Sequence, residues 1–280
     1  MNRDEVQRRA HLFRQLHEQS DDMLVLPNPW DAGSARILVN LGFRALATTS
    51  AGLAFTLGRR DGEGVVTADE TFEHVAEMIA AVSVPYTADL ENGFGSAPET
   101  VAATIRRAGE VGLSGASIED ATYDPAAPLF DRTLAVERIH AAVEAARGLG
   151  HPFVVTARAE NFIRGRPDLD DVLGRLQSYE QAGADVLYAP GLPDEAALRT
   201  ACRSFSKPVN YVVGVGRTRF TLAQLREIGV RRVTIGTSFA RCALAAMVRA
   251  ARELLEHGTF SYLDGLPTVT DFNQLIAPGP

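Results

Sequence analysis

Eight short apolar runs alternate with eight helical stretches along the 280-residue chain. The runs are 23–27, 45–49, 85–89, 115–119, 153–158, 186–189, 209–213 and 232–235. Their length and lack of polar alternation suit strands buried on both faces. Between and after them lie the helical stretches 31–41, 68–81, 98–111, 134–147, 169–182, 195–204, 222–228 and 238–256, rich in Ala, Leu and Arg. Eight βα units in series predict an α/β chain closed into a (β/α)8 barrel of the TIM type. The alternative is an open doubly wound sheet. It expects Gly-x-Gly-x-x-Gly after the first strand, where this chain has Asn28-Pro29-Trp30-Asp31. The expectation is one domain over 1–280, with its barrel core at about 23–257, an N-terminal helix and a C-terminal extension.

The punctuation agrees with the alternation. Gly42, Gly112, Gly150, Gly183 and Gly229 follow helices and precede strands, as left-handed helix ends require. Pro85, Pro152 and Pro208 open strands, where no ladder donor is yet needed. Thr67 with Glu70, and Ser96 with Glu99, read as capping boxes. Two segments exceed the minimal repeat: a Gly-rich loop over 50–66 and a Pro-rich loop over 120–132. Long loops after barrel strands usually wall or cover a site. The apolar residues of 260–276 predict an oligomer contact or an added cap.

Acidic residues fall just after several strands: Asp61, Asp89, Glu91 and Glu119. Carboxylates there cost desolvation unless they pair or hold a cation. Several on one rim are what a hard, oxygen-loving ion such as Mg²⁺ or Mn²⁺ requires. Asp89 and Glu91 lie two apart on a strand and share a face. Gly93 and Gly95 after them let the backbone approach a ligand. Arg158 ends the fifth strand; it either presents a fork to an anionic ligand or pairs with Glu160 or Glu119. Asn210 on the seventh strand is a polar contact for substrate or a satisfied core amide.

Composition removes other chemistries. Lys207 is the only lysine and directly precedes Pro208, away from the strand ends that carry barrel active sites, so a Schiff-base mechanism is excluded. None of the six histidines falls at those ends, and Cys202 and Cys242 lie in helices. The proton carriers left are Tyr123, Asp124, Tyr188, Tyr211, Glu119 and water. A net charge of −7 argues against nucleic acid or anionic membrane as a partner. Two cysteines suit a reducing cytoplasm, the charged segment 1–22 lacks a signal-peptide core, and no apolar run reaches the ~20 residues of a membrane helix.

Taken together and in order, four motifs resemble the isocitrate lyase / phosphoenolpyruvate mutase superfamily. They are Thr49-Ser50-Ala51-Gly52 with Leu57-Gly58-Arg59-Arg60-Asp61, Asp89-Leu90-Glu91-Asn92-Gly93-Phe94-Gly95, Ile118-Glu119-Asp120, and Ala157-Arg158-Ala159-Glu160. The resemblance implies a metal-dependent enzyme, Mg²⁺ or Mn²⁺, acting on small 2-oxo acids or their adducts. It also implies a homo-oligomer, dimer or tetramer, with the last helix exchanged between subunits. By the same resemblance Asp89 is the direct metal ligand, with Asp61, Glu91 and Glu119 around the ion, partly through water. The segment Ser50, Ala51 and Gly52 grips the substrate carboxylate, Arg158 stands beside its oxygens, and Asn210 contacts it; Tyr188, near the mouth, is expected to contact the substrate as well.

The loop after the fourth strand departs from the family. Its lyases carry Lys-x-Cys-Gly-His there, and its mutases and phosphonopyruvate hydrolases a Lys and an Asn-Ser pair; 120–131 has no Cys, His or Lys. Decarboxylation needs no general base, whereas a retro-aldol cleavage needs both base and acid. The expected function is therefore a Mg²⁺-dependent carbon–carbon lyase on a small 2-oxo acid, oxaloacetate decarboxylation leading, with Arg158, Glu119 and Tyr123 catalytic. The alternatives are cleavage of a methylisocitrate-like acid with Tyr123 or Tyr188 as acid, a carboxyphosphonate or phosphonopyruvate mutase, and a non-catalytic 2-oxo-acid-binding protein.

Overall fold

The computed structural model describes residues 2–18, 23–216 and 219–277; the end of the segment expected before the first strand, residues 19–22, lies outside them. Eight parallel strands run β1 (Leu24–Leu26), β2 (Leu46–Ala47), β3 (Tyr86–Asp89), β4 (Gly115–Glu119), β5 (Val154–Arg158), β6 (Val186–Tyr188), β7 (Val209–Val212) and β8 (Arg232–Thr234). Their spatial order is β1-β8-β7-β6-β5-β4-β3-β2. The Ala47 N–H donates to the Pro27 carbonyl at 3.0 Å and joins the two ends. Chain order around a joined ring is the TIM-type barrel, and it excludes the doubly wound alternative.

The helices are α1 (Arg3–Glu18), α2 (Ala32–Asn40), α3 (Ser50–Thr56), α4 (Ala68–Ala81), α5 (Pro98–Val111), α6 (Arg132–Arg147), α7 (Leu169–Gln181), α8 (Glu195–Ser204), α9 (Leu222–Ile228), α10 (Ser238–His257) and α11 (Val269–Leu275). Two local expectations are corrected. The loop expected over 50–66 begins as α3: the Thr49 side chain caps it by accepting from the Gly52 N–H, and Leu53 and Ala54 bury with Val66. Gly52 does not break this helix. A Cβ there would stand 2.5 Å from Thr49 Cγ2 and 2.9 Å from Trp30 Cβ, so glycine permits the close approach. The Ser96 capping box is absent, because Pro98 takes the first helical position and moves the cap to Ala97. The Thr67 and Glu70 box forms as expected.

The barrel interior is layered. At the bottom, Leu24, Ala45, Val154 and Val186 pack with Phe13 and Leu16 of α1, which plugs the ring. Above them Thr87, Ser117, Thr156, Asn210 and Arg232 line open space instead of filling it. Bulky branched side chains usually occupy such a layer. Here small polar ones leave a cavity that opens at the C-terminal ends of the strands.

His17 of α1 lies close to the plug. Its Nδ1 is 2.8 Å from the Phe13 carbonyl, and its buried Nε2 has no partner among the described residues. Burial, then the charge of Arg232, push its pKa from 6.5 down to about 3. The depressed folded pKa means that the contribution of neutral His17 is complete above the unfolded pKa and is lost as pH falls from there toward the folded one. Between pH 7 and pH 5 the chain is expected to lose about 1–2 kcal/mol through this group. Thermal melts of wild type and His17→Gln across that range check it; an unchanged pH slope in the variant would refute the assignment.

At the C-terminus α10 leaves the barrel, and only Ala240 of it is buried. Met247 is 61% and Leu255 86% exposed. The arm then returns to α2, where Asn40 Nδ2 donates to the carbonyls of Leu275 at 2.7 Å and Ala277 at 2.9 Å.

Candidate active site

A cavity of about 200 Å³ enters the barrel from the C-terminal ends of the strands. Ser50, Ala51, Asp61, Asp89, Arg158, Tyr188 and Asn210 all line it, so seven of the expected site residues share one space. Ser50 and Ala51 open α3, where backbone N–H groups have no intrahelical acceptor. Gly52 sits behind them, buried and off the lining. Asn28, a residue not singled out from sequence, ties the rim together. Its Nδ2 donates to the Thr48 carbonyl at 2.6 Å, and its Oδ1 accepts from the N–H groups of Ile235 and Gly236 at 2.9 and 2.8 Å.

Asp89 is held in one orientation. Ser50 Oγ donates to its Oδ2 at 3.0 Å, and the Glu91 N–H donates to its Oδ1 at 3.2 Å. Its own N–H donates to Thr48 Oγ1 at 2.9 Å. Arg158 Nη1 stands 3.5 Å from the same Oδ2. Asp61 is at the solvent-facing mouth; partial desolvation of its carboxyl, then the charge of Asp89, push its pKa up.

Glu91, Glu119 and Tyr123 are absent from that lining and form an adjoining cluster. Glu119 is buried, with Arg158 Nη1 at 3.3 Å and Arg164 Nη2 at 3.2 Å, and Tyr123 donates its hydroxyl to Oε1 at 3.2 Å. Burial, then the charges of Asp89 and Glu119, raise the Glu91 carboxyl to about 8. Glu91 and Tyr123 have left-handed backbones, φ 50° and 64°, which are uncommon outside glycine. Arg138 supports the turn carrying Glu91. It is buried, and donates to the carbonyls of Asn92, of Gly95 at 2.5 Å and of Ser96 at 2.7 Å.

Arg158 makes the pairs with Glu160 and Glu119 that its sequence position allowed, and it also lines the cavity. Its Nε is the donor to Glu160, and it pairs with Asp89 as well. Burial alone would lower its pKa, but Glu160, Glu119 and Asp89 more than offset this and hold it protonated. It also lies over the Tyr188 ring, 5.1 Å from the centroid. Burial pushes the Tyr188 hydroxyl up, so it keeps its proton at neutral pH. Of the other candidate proton carriers, Asp124 is exposed, and Tyr211 packs outside the barrel against Phe220.

Sequence reasoning missed Arg164, and it met Glu160 only as a partner for Arg158. Glu160 is 0% exposed, and Arg164 Nε is 3.3 Å from it. Their four-residue spacing was the available signal. Asp120 anchors the same corner, accepting from the Glu160 N–H at 2.9 Å, from Tyr179 Oη at 2.7 Å and from Arg175 at 3.1 Å.

Five carboxyls, Asp61, Asp89, Glu91, Glu119 and Glu160, thus face two guanidiniums, Arg158 and Arg164. Fully ionised, the cluster would carry three uncompensated negative charges; Glu91 and Glu160, pushed up to about 8, hold protons in place of part of that excess at neutral pH. A hard cation fits that excess. Among the described residues no three His, Cys, Asp or Glu side chains converge on one ligating point.

A parallel barrel with charged groups gathered at the C-terminal ends of its strands has the architecture of a barrel enzyme. The chain belongs to the isocitrate lyase / phosphoenolpyruvate mutase superfamily: the phosphoenolpyruvate phosphomutase family model matches residues 13–255. A Burkholderia cenocepacia structure described as a lyase/mutase is 48% identical, with a TM-score of 0.94, over 98% of this chain and 97% of that one. The 2-methylisocitrate lyase of Aeropyrum pernix is 29% identical over 98% of this chain and 89% of its own. Oxaloacetate acetylhydrolase in complex with its product oxalate superposes with a TM-score of 0.85 at 25% identity, over 95% of this chain and 93% of that one. Among the described residues no helix is long and apolar enough to cross a membrane.

Proposed function

We propose that this chain is a Mg²⁺- or Mn²⁺-dependent lyase that breaks a carbon–carbon bond in a small 2-oxo acid, with oxaloacetate decarboxylation the leading reaction. One observation carries the reading: Asp89 and Arg158, 3.5 Å apart, line the same cavity as Ser50 and Ala51, the first two residues of α3. The carboxylate excess supports the metal; Asp89 would be its direct ligand, and Asp61, Glu91 and Glu119 would hold it from around, partly through water. Bound there, the ion would supply Lewis-acid stabilisation of negative charge on the substrate oxygens.

The chain's own groups do the rest. The N–H groups of Ser50 and Ala51, ahead of Gly52, hold the 2-oxo acid carboxylate. Arg158 directs its guanidinium at the oxo oxygen. As the bond to the far carboxylate breaks, its electron pair moves toward that oxygen and CO₂ departs; Arg158 stabilises the developing oxyanion. Asn210 contacts the substrate from β7, and Tyr188 or water protonates the carbon left behind. Glu119 keeps Arg158 charged and oriented. Tyr123, its hydroxyl engaged with Glu119, closes the adjoining cluster and is the second candidate for the proton donor.

A second reading is cleavage of a methylisocitrate-like acid. The Aeropyrum relative favours it, as does the protonated Tyr188 beside Arg158. The test is turnover of oxaloacetate and of 2-methylisocitrate with Mg²⁺ and with EDTA, subtracting decarboxylation by free metal. Pyruvate and CO₂ from oxaloacetate support the leading reaction, and pyruvate and succinate from 2-methylisocitrate the second. Turnover of neither, together with no Mg²⁺-dependent oxalate binding, overturns the reading.

We also propose a homo-oligomer, dimer or tetramer, in which a second copy covers the exposed apolar face of α10. Light scattering should show more than one chain per particle, and Met247→Glu with Leu255→Glu should give monomers. A monomeric wild type would end that proposal.

A further inference from the structure

The cavity has a charged floor as well as an acidic rim. Arg232, on β8, is 3% exposed and lines the cavity that holds Asp89 and Arg158. Its Nη1 donates to Thr156 Oγ1 at 2.5 Å, its Nε has no partner, and no carboxylate pairs with it among the described residues. In register beside it on β7, Asn210 donates from Nδ2 to Thr234 Oγ1 at 3.0 Å, while its buried Oδ1 is likewise unpartnered.

A buried guanidinium is costly unless an anion meets it. The rim does not serve: among the described residues none of its carboxylates comes within ion-pair distance of Arg232, and those of Asp89, Glu119 and Glu160 lie against Arg158. The small side chains of Ala47, Thr87, Ser117 and Thr156 keep the space over Arg232 open. The cavity is therefore bipolar: excess negative charge at the mouth, an uncompensated positive charge at depth.

We propose that Arg232 forms a second anion subsite, which takes the far carboxylate of a dianionic substrate whose 2-oxo acid end lies at the Asp89 and Arg158 rim; a guanidinium there suits a carboxylate that is retained, as in the succinate half of a methylisocitrate-like acid, and opposes its loss as CO₂. The assignment of the rim end rests on the function proposed above. Arg232 is a specificity residue on this view. It selects four- or five-carbon diacids over monoacids of the same shape, with Asn210 free to turn its amide toward the same carboxylate or a bridging water.

The test is calorimetry with an unreactive matched pair, malate and 2-hydroxy-4-methylpentanoate, which replaces the far carboxylate by an isopropyl group. Oxalate serves as a probe of the rim alone. In the presence of Mg²⁺ the wild type should prefer malate by about 100-fold, the size expected for a desolvated Arg–carboxylate pair. Arg232→Gln should abolish that preference and leave oxalate affinity unchanged, and Arg232→Lys should retain part of it. A strut to Thr156 predicts instead equal losses for all three ligands. Equal binding of the matched pair by wild type overturns the proposal without any variant, as does malate binding that Arg232→Gln leaves intact. If oxalate fails to bind wild type, the rim reading falls. The floor is then judged with succinate, whose binding must be lost in Arg232→Gln for the subsite to stand.

Discussion

Asp89→Asn is expected to lower kcat/KM by about 10³-fold, or about 4 kcal/mol of transition-state stabilisation, and to abolish Mg²⁺-dependent oxalate binding. The substitution is nearly isosteric. Asparagine keeps one acceptor: its Oδ1 can still take the Glu91 N–H, and its Nδ2 then faces Ser50 Oγ, whose hydroxyl can turn to accept instead of donate, so the fold around the residue survives. What goes is the negative charge on which a direct Mg²⁺ ligand depends. Activity with Mg²⁺ and with EDTA, and calorimetry of oxalate with and without the ion, give the two readouts. Asp89→Asn with wild-type, metal-dependent turnover would show that the ion, if one is used, binds elsewhere.

Arg158→Gln is expected to cost both activity and stability. Loss of the guanidinium aimed at the developing oxyanion should lower kcat by about 10²–10³-fold. It also leaves Glu160 and Glu119 with Arg164 as their remaining cation. Breaking a buried pair from one side costs about 3–5 kcal/mol. The pH dependence has a definite sign. Burial, against the pull of Arg158, and then the charge of Glu119 already hold Glu160 at about 8, and removing Arg158 pushes it further up. A carboxyl with a raised folded pKa contributes stability that is complete below its unfolded pKa and lost as pH rises through the folded one. The variant should therefore be weakest above pH 8 and recover toward pH 5. Melting curves of both proteins over that range check this, and a uniform offset at every pH would contradict it.

The strands and most helices were legible because their signals are local. An apolar run bounded by proline or glycine reads the same in any context, and β4 spans the expected residues 115–119. Left-handed ends at Gly112 and Gly229 were legible for the same reason. The reading failed where a distant neighbour sets a residue's role. Gly52 looked like a loop residue because nothing in the sequence says that Trp30 packs against it.

The same division runs through the site. By itself the sequence determined the barrel, the acidic residues at the strand ends and the family, since strand periodicity and motif spacing are properties of neighbouring residues. Only the tertiary structure decided that Asp89 and Arg158 share a cavity, that Glu91, Glu119 and Tyr123 stand beside it, and that Arg232 lines its depth with no carboxylate partner among the described residues. A charge in a sequence has no partner until the chain closes. Its desolvation cost, and hence its use, depends on which groups from other strands come within a few ångströms.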